Sequence, residues 1–385
     1  MKILLLSNSN NIKNGYGNLT HQSCVYLQKA GIDFTLLLPH DSPRYDYATY
    51  SIEYILPSYI FDLKTTKIFD YIRFSYKTDV DIVHSITEFP YAILAAKIAK
   101  KNKKPLIIQS AGTYGVKPLL YFPDKIFLKW AYNQASLVTP ISVFTQEMIQ
   151  KFSGTKTPMK IIHPGVDFNH FDVNVDVKDI QEKYPNKKLI VTVGVLKPRK
   201  GHDVVLRALG ELKKRRDDFH YLIVGSDGEG RTVYYNSLQT LVKENYLENN
   251  VTFVGTASDE DLVRYFHAAD VYVHTPRLIH MNFEGFGMVY LEAGVCRKPV
   301  VAADSGGIRD AVVDGKTGII VPENDVHATA EAVKKLLDNP GLRNEMGNAG
   351  YEYAQKHDWQ HIGEQYIEVY KNILNQSIPN KNLPK

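Results

Sequence analysis

Residues 283–293 read FEGFGMVYLEA and place two glutamates, Glu284 and Glu292, on either side of a loop that contains two glycines. The residues after the loop are apolar except for Glu292, which predicts a buried helix that carries a single carboxylate. A buried carboxylate is unfavourable unless a partner or a ligand hydrogen-bonds it. Gly285 and Gly287 lack Cβ atoms, so their backbone can approach a ligand closely. Because the first N–H groups of a helix bind phosphate, the stretch predicts a phosphate site flanked by carboxylates that hold hydroxyl groups.

The chain around this stretch has the composition of a soluble globular protein. Its 385 residues are enough for two domains, and 44% are apolar while 23% are charged. Two cysteines provide no disulfide framework and suit a reducing compartment. We see no signal peptide and no apolar run long enough to span a membrane, so we expect a cytoplasmic protein.

Short apolar segments alternate with amphipathic ones along the whole chain, which predicts parallel α/β domains. A polar stretch between residues 163 and 188 interrupts the pattern, and a buried strand then starts afresh. We therefore predict two doubly wound domains, residues 1–170 and 171–358, followed by a helix and tail at 359–385. The predicted helices are Leu19–Ala30, His202–Arg216 and Trp359–Leu374. The predicted strands are Ile3–Leu6, Phe34–Leu38, Ile82–Ser85, Leu106–Gln109, Leu137–Thr139, Lys160–Ile162, Leu189–Val193, Tyr221–Val224, Val251–Val254, Val271–His274 and Pro299–Ala302.

A second candidate site lies at residues 192–203, which read TVGVLKPRKGHD. Three cations, Lys197, Arg199 and Lys200, follow a predicted strand and precede a predicted helix. Clustered cations at a strand end suit a pyrophosphate leaving group. A basic surface turn is the alternative interpretation of the same residues.

The string E-G-F-G-x-x-x-L-E-A at 284–293 resembles the donor-site signature of retaining glycosyltransferases of family 4. Lys200-Gly201 matches a K-G pair of that family, and residues 81–84 and 304–310 resemble its D-V-V-H strand and G-G loop. The resemblance implies the GT-B fold, with two Rossmann-like domains facing a cleft and a C-terminal helix that crosses back to the N-terminal domain. It also implies transfer of a hexose from a UDP- or GDP-sugar to a hydroxyl of a glycan, lipid-linked or small-molecule acceptor. Cell-envelope or polysaccharide biosynthesis is the expected setting.

The resemblance assigns roles to individual residues. Glu284 is expected to hold the sugar hydroxyls, Glu292 the ribose, and Arg199 and Lys200 the departing diphosphate. Val195 stands where the family often has arginine, so Arg199 is expected to supply that charge. The other donor-binding residues implied are Gly17, Gly194, Gly225, Val254, Gly255, Phe286, Gly287, Met288 and Val289. The acceptor-binding residues implied in the N-terminal domain are Asn18, His84, Ala111, Thr113, Tyr114 and Lys117.

Two departures from the family pattern leave alternatives open. Ala111 occupies the place of a family histidine that faces the transferred sugar, so either Tyr114 or His84 takes over that contact or transfer is slow or absent. His84 itself is either a site residue or a core histidine. A long link from Pro276 to Glu284, which contains Arg277, hints at donor choice. The rival functions are a nucleotide-sugar or glycan-binding protein without catalysis and a nucleotide-sugar epimerase.

The sequence also leads to expectations about metals and partners. No cluster of His, Cys and carboxylate residues has metal-ligand spacing, so we expect no metal and no cofactor besides the donor. No platform of arginine and aromatic residues indicates nucleic acid. Five lysines between Lys97 and Lys104 form either a solvated helix end or a basic surface resting on anionic lipid at the inner face of the cytoplasmic membrane.

Overall fold

The computed structural model describes residues 1–64, 67–227 and 233–377, which form two compact α/β units. The first unit combines Met1–Gly165 with the C-terminal segment that begins at Trp359, and the second is Val166–Asp358. The expectation that the C-terminal helix returns to the first domain is therefore confirmed. The first unit ends at Gly165 rather than at 170, because the Val166 N–H donates to the His357 carbonyl, 2.9 Å away, inside the second unit. The tail predicted at residues 378–385 lies outside the described residues.

The strands agree closely with the apolar segments of the sequence. They are β1 (Lys2–Leu6), β2 (Asp33–Pro39), β3 (Ile52–Leu56), β4 (Ile82–Ser85), β5 (Leu106–Ser110), β6 (Leu137–Pro140), β7 (Lys188–Val193), β8 (Phe219–Val224), β9 (Val251–Gly255), β10 (Val271–His274), β11 (Val300–Ala303) and β12 (Gly318–Val321).

The helices lie between these strands. They are α1 (Gly15–Lys29), α2 (Ile68–Arg73), α3 (Tyr91–Asn102), α4 (Thr113–Val116), α5 (Asp124–Gln134), α6 (Val143–Ser153), α7 (Phe168–Phe171), α8 (Lys178–Glu182), α9 (His202–Lys213), α10 (Val233–Glu244), α11 (Asp259–Ala268), α12 (Met288–Val295), α13 (Val326–Asp338), α14 (Pro340–Gln355) and α15 (Trp359–Ser377), with 3-10 turns at Lys117–Leu120, Pro198–Lys200 and Ile308–Asp310. Within the described residues, no helix has both the length and the apolar composition needed to cross a bilayer.

Each unit contains one parallel sheet, in which the described residues form six strands. The strand orders are β3-β2-β1-β4-β5-β6 and β12-β11-β10-β7-β8-β9, so each order reverses beside its first strand. In β7, Ile190 packs into one apolar cluster while Leu189 and Val191 pack into another, so both faces of the second sheet are covered. Ligands bind beyond the carboxyl ends of such strands, near the reversal point. In the second unit that point adjoins the end of β7.

Some local features differ from the predictions. Helix α1 begins at Gly15 rather than at Leu19, because the Asn14 side chain caps it by accepting from the Gly17 N–H at 2.7 Å. Residues 160–162 are not a strand, since Pro140 of the neighbouring β6 has no N–H to continue the ladder. Strands β3 and β12 were not predicted.

Candidate functional site

The three predicted catalytic residues form one ion cluster in the second unit. The Nζ atom of Lys200 lies 2.6 Å and the Nη1 atom of Arg199 lies 3.1 Å from the same oxygen, Oε2 of Glu284. The side chains of Lys200 and Glu284 are only 12% and 15% exposed. In this structure the carboxylate therefore pairs with both cations. An anionic ligand at this site would compete with Glu284 for them.

The charge state of Glu284 follows from this cluster. Burial alone would raise the pKa of its carboxyl, but the charges of Lys200 and Arg199 outweigh burial and lower the pKa to about 2. Glu284 is thus ionised at neutral pH. An ionised carboxylate accepts hydrogen bonds from sugar hydroxyl groups, which is the role expected from the sequence.

The turn that carries the two cations is held rigidly. Residues 198–200 form a 3-10 turn after β7, and Gly201 adopts a φ of +74° before α9 begins. The Arg277 guanidinium donates to the Pro198 carbonyl at 2.9 Å and to Oδ1 of Asp203 at 2.9 Å. The long link after Pro276, which we took as a hint of donor choice, therefore braces the cation turn.

The loop after β11 fixes the backbone of Glu284. The Gly307 N–H donates to the Glu284 carbonyl at 2.9 Å. Gly306 has a φ of +62°, and a Cβ at this position would lie 2.4 Å from the same carbonyl oxygen. The sequence resemblance included this loop, and the structure explains its two glycines by close approach to the Glu284 backbone.

Helix α12 starts beside the cluster, at the loop of the signature stretch. Gly287 precedes it with a φ of +93°. Among the described residues, the N–H groups of Gly287, Met288 and Val289 have no hydrogen-bond acceptor. Helix N-termini with free N–H groups favour anions, so this end of α12 has the donors expected of a phosphate site. Phe286, also expected there, is buried.

Glu292 lies one turn further along α12, and burial raises the pKa of its carboxyl to about 7 although Lys200 opposes the effect. Within the part of the chain that the structure describes, the carboxyl group has no hydrogen-bond partner. An unpaired, partly buried carboxyl group is stabilised by a ligand that donates to it, such as a ribose hydroxyl.

Glycines at the ends of three adjacent strands lie side by side. The Gly194 N–H donates to the Val224 carbonyl at 2.9 Å, and the Gly225 N–H to the Gly255 carbonyl at 2.8 Å. A Cβ on Gly225 would lie 2.1 Å from the Gly194 carbonyl oxygen. The structure thus brings these predicted donor-binding positions together with half-buried Val254 at the edge of the sheet where β7, β8 and β9 end.

His274, at the end of β10, is a candidate site residue that the sequence reasoning missed. It is fully buried, and neither ring nitrogen has a partner among the described residues. Burial, followed by the charge of Lys200, holds the pKa of the ring well below its usual value. The only signal in the sequence was its position at the end of a predicted strand.

In the first unit, the segment with Ala111 is built around a buried acid, Glu88, that the sequence reasoning also missed. Oε1 of Glu88 accepts from the Ser110 hydroxyl at 3.1 Å and from the Gly112 N–H at 3.0 Å. Its Oε2 is buried and has no partner in the described chain. Burial raises the pKa of Glu88 to about 7, although these hydrogen bonds oppose the shift. Glu88 therefore holds both sides of Ala111 in place.

The other predicted acceptor residues lie close to this segment or on α1. The Tyr114 ring lies 5.8 Å from the Tyr16 ring, while Thr113 and Lys117 begin the two short helical turns that follow Gly112. Asn18 lies within α1. Gly17 is also in α1, and its N–H already donates to the Asn14 cap, so this amide is engaged within the chain. Nothing in the structure tests whether these residues contact an acceptor, so their acceptor-binding roles stay predictions.

The acceptor role of His84 needs correction. The residue is 2% exposed, and its Nδ1 lies 2.8 Å from the hydroxyl of Tyr370 on α15. Burial lowers the pKa of the ring to about 3, so it is neutral. His84 is the core histidine of the alternative interpretation, and it joins the central sheet to the returning helix.

Two family models match the chain and divide it between them. One is described as Glycosyltransferase Family 4 and matches residues 13–170. The other is described as Glycosyl transferases group 1 and matches residues 175–353. The GDP-mannose-dependent alpha-(1-6)-phosphatidylinositol monomannoside mannosyltransferase of Mycolicibacterium smegmatis is 34% identical, over 76% of each chain. The chain belongs to glycosyltransferase family 4.

Further relatives of this family 4 glycosyltransferase agree with the family assignment. An uncharacterized glycosyltransferase of Methanocaldococcus jannaschii, MJ1069, is 29% identical over 83% of each chain. The crystal structure of Anabaena HepE in complex with UDP gives a TM-score of 0.82 at 20% identity, covering 97% of this chain and 100% of HepE. These findings confirm the GT-B fold and make the protein a nucleotide-sugar glycosyltransferase.

Proposed function

We propose that this glycosyltransferase transfers a hexose from a GDP- or UDP-sugar to a hydroxyl group of a glycan, lipid-linked or small-molecule acceptor, with retention at the anomeric carbon. The observation that carries the proposal is the ion cluster of Glu284, Lys200 and Arg199 beside the free N–H groups of α12. The Mycolicibacterium relative is named for GDP-mannose and the Anabaena structure contains UDP, which motivates the two donor classes. We place the reaction in cell-envelope or polysaccharide biosynthesis.

Each charged group has a distinct task in the proposed reaction. The diphosphate draws Lys200 and Arg199 away from Glu284, which then accepts hydrogen bonds from the sugar hydroxyls. The bond between the anomeric carbon and the diphosphate oxygen breaks, and its electron pair stays on the diphosphate. The two cations and the N-terminus of α12 stabilise that developing charge. The acceptor oxygen bonds to the anomeric carbon on the same face, and its proton passes to the departing phosphate.

Glu292 contributes to donor binding in this scheme. Its ionised form accepts hydrogen bonds from the ribose, so nucleotide binding favours loss of its proton. Because the pKa of Glu292 without ligand is about 7, nucleotide affinity gains from this group as the pH rises towards 7. Arg199 and Lys200 supply the positive charge that balances the diphosphate, which supports a reaction without a metal ion or a further cofactor.

One observation favours a second candidate function. Ala111 has no group that can hydrogen-bond a sugar, and the position is occupied by histidine in the family pattern. A nucleotide-sugar-binding protein without transferase activity would fit that substitution. Such a protein binds the nucleotide but does not consume the donor with any acceptor.

The test starts with a thermal-shift screen against UDP, GDP, ADP, CMP and their common sugar conjugates. We expect a selective shift with one nucleoside diphosphate, followed by donor consumption that depends on an acceptor. The Glu284→Gln variant should lose transfer while it retains nucleotide binding, and Glu345→Gln, an exposed change in the same unit, should match the parent. Nucleotide binding without turnover across an acceptor panel would favour the binding protein. Interconversion of the donor sugar without an acceptor would identify an epimerase.

A further inference from the structure

Large apolar side chains are exposed on one part of the first unit. Among the described residues, half of the large hydrophobic side chains that are exposed lie in two short parts of the chain, 61–72 without residues 65 and 66, and 120–127. Phe61 and Phe122 are 75% and 73% exposed, which is unusual for phenylalanine. Exposed apolar side chains that are grouped along the chain in this way, rather than scattered singly, favour an interaction site. The exposed members are Phe61, Phe69, Ile72, Leu120, Tyr121, Phe122, Ile126 and Phe127; we call them the apolar surface.

The two segments are joined although they are far apart in the sequence. The Leu63 N–H donates to Oδ1 of Asp124 at 2.8 Å, and both residues are buried. This contact fixes the chain around Phe61 against the start of α5, which carries Ile126 and Phe127. The contact therefore holds the exposed Phe61 beside the exposed residues at the start of α5.

A cavity with lysines adjoins the apolar surface. Its volume is about 330 Å³, and its lining includes Phe74 after α2, Lys100 and Lys101 on α3, and Trp130 on α5. The Nζ atom of Lys100 lies 5.9 Å from the Trp130 ring centroid, and that of Lys101 donates to the Ser75 hydroxyl at 2.6 Å. Neither lysine has a carboxylate partner among the described residues. We call this cavity the lysine pocket, and its free charge suits a phosphate group.

Lys97 links the lysine pocket to the apolar surface. Its Nζ donates to the carbonyls of Tyr71, Ile72 and Phe74, at 2.6, 2.9 and 3.2 Å. These carbonyls end α2, whose outer side carries Phe69 and Ile72. Lys97 is therefore a structural residue that fixes α2 to α3, and only the later lysines of the cluster are available to a ligand.

We propose that the apolar surface and the lysine pocket together dock this protein onto an anionic lipid bilayer. Aromatic side chains enter the interfacial region, while Lys100 and Lys101 bind the phosphate of a headgroup. A second copy of the chain fits less well, because a two-fold dimer through this surface would bring the exposed Lys64, Lys125 and Lys129 of both copies into one interface, which would gather six like charges there. Docking would bring the protein to the proposed lipid-linked acceptor, and in this respect the inference rests on the proposed function. The docking itself requires no catalysis.

Vesicle sedimentation with the full chain tests the docking. We expect binding to vesicles of phosphatidylcholine with phosphatidylglycerol, and much weaker binding to phosphatidylcholine alone. The triple variant Phe61→Ser/Phe122→Ser/Ile126→Ser should lower the partition coefficient at least about tenfold. Lys100→Glu/Lys101→Glu should abolish the preference for anionic vesicles. Tyr246→Ser, which removes a ring that is 78% exposed in the second unit, is the matched control and should bind like the parent.

Two results would overturn the docking proposal. One is absence of parent binding to anionic vesicles, and the other is equal binding by the parent and the triple variant. A parent dimer that the triple variant converts to monomer, without vesicle binding, would assign the surface to a second copy. The nucleotide thermal shift, measured on the same triple variant, should be unchanged. A normal shift with no vesicle binding thus refutes docking alone, while vesicle binding with no nucleotide shift refutes only the proposed transferase.

Discussion

Replacement of Glu88 by glutamine should change how the stability of the first unit depends on pH. The pKa of Glu88 is about 7 in the folded chain, against an ordinary value of 4.5, because the folded chain buries the carboxyl. The folded state therefore holds this proton more tightly than the unfolded state. Its contribution to stability is complete below pH 4.5 and is lost as the pH rises through 7. The difference in pKa corresponds to about 3 kcal/mol of unfolding free energy.

The Glu88→Gln side chain resembles the protonated acid and keeps an oxygen for Ser110 and Gly112. Parent and variant should therefore be similar in stability at pH 4.5, and the variant should be more stable by about 3 kcal/mol at pH 8.5. Urea unfolding followed by tryptophan fluorescence isolates this unit, because both tryptophans of the chain, Trp130 and Trp359, lie in it. Glu147→Gln, an exposed change in the same unit, should keep the pH dependence of the parent. If the unfolding free energies of the parent and of Glu88→Gln changed in the same way with pH, the reasoning would be refuted.

Two further variants test the second unit. Lys200→Ala should weaken nucleoside diphosphate binding by at least about 1.5 kcal/mol in calorimetry, as expected for a charge-assisted hydrogen bond, while Lys197→Ala at an exposed position should not. Equal affinity of the two variants would remove Lys200 from the diphosphate site. Gly201→Ala should lower unfolding stability by at least about 2 kcal/mol, because its φ is +74° and its Cβ would lie 1.8 Å from the Thr275 carbonyl oxygen. Gly315 has a φ of +72° with open space around the position of a Cβ. Gly315→Ala should therefore lose less unfolding stability, as measured by circular dichroism.

Much of the fold could be predicted because buried parallel strands are continuous apolar runs, as in Ile3–Leu6 and Leu189–Val193. The edge strand β3, Ile52–Leu56, was missed because it contains Glu53 and is mostly half-buried. Because an edge strand is covered on fewer sides than a central strand, it does not need a continuous apolar run. The predicted strand at 160–162 failed for a different reason, since apolar residues there run beside a proline that cannot complete the ladder.

The candidate site, like the fold, could be predicted from the sequence only in part. Glu284, Arg199 and Lys200 could be predicted together because a family pattern connects them, although 84 positions separate Lys200 from Glu284. Glu88 could not, because its burial arises only when residues 110–116 pack over it. His84 was assigned to the acceptor by resemblance to the family, and the sequence did not reveal its core partner Tyr370, which lies 286 positions away. Contacts at such distances along the chain leave no local pattern.

The return of α15 to the first unit has a consequence for synthesis on the ribosome. The Tyr26 ring lies so close to Gly363 that a Cβ there would be 1.7 Å from it, and His84 bonds Tyr370. The first unit therefore completes its core only after residues 359–377 have left the exit tunnel. The second unit, which is one continuous segment, is translated in full before then. The half of the enzyme that is made first therefore cannot complete its core until the end of the chain has been made, and the surface that α15 covers stays exposed until then.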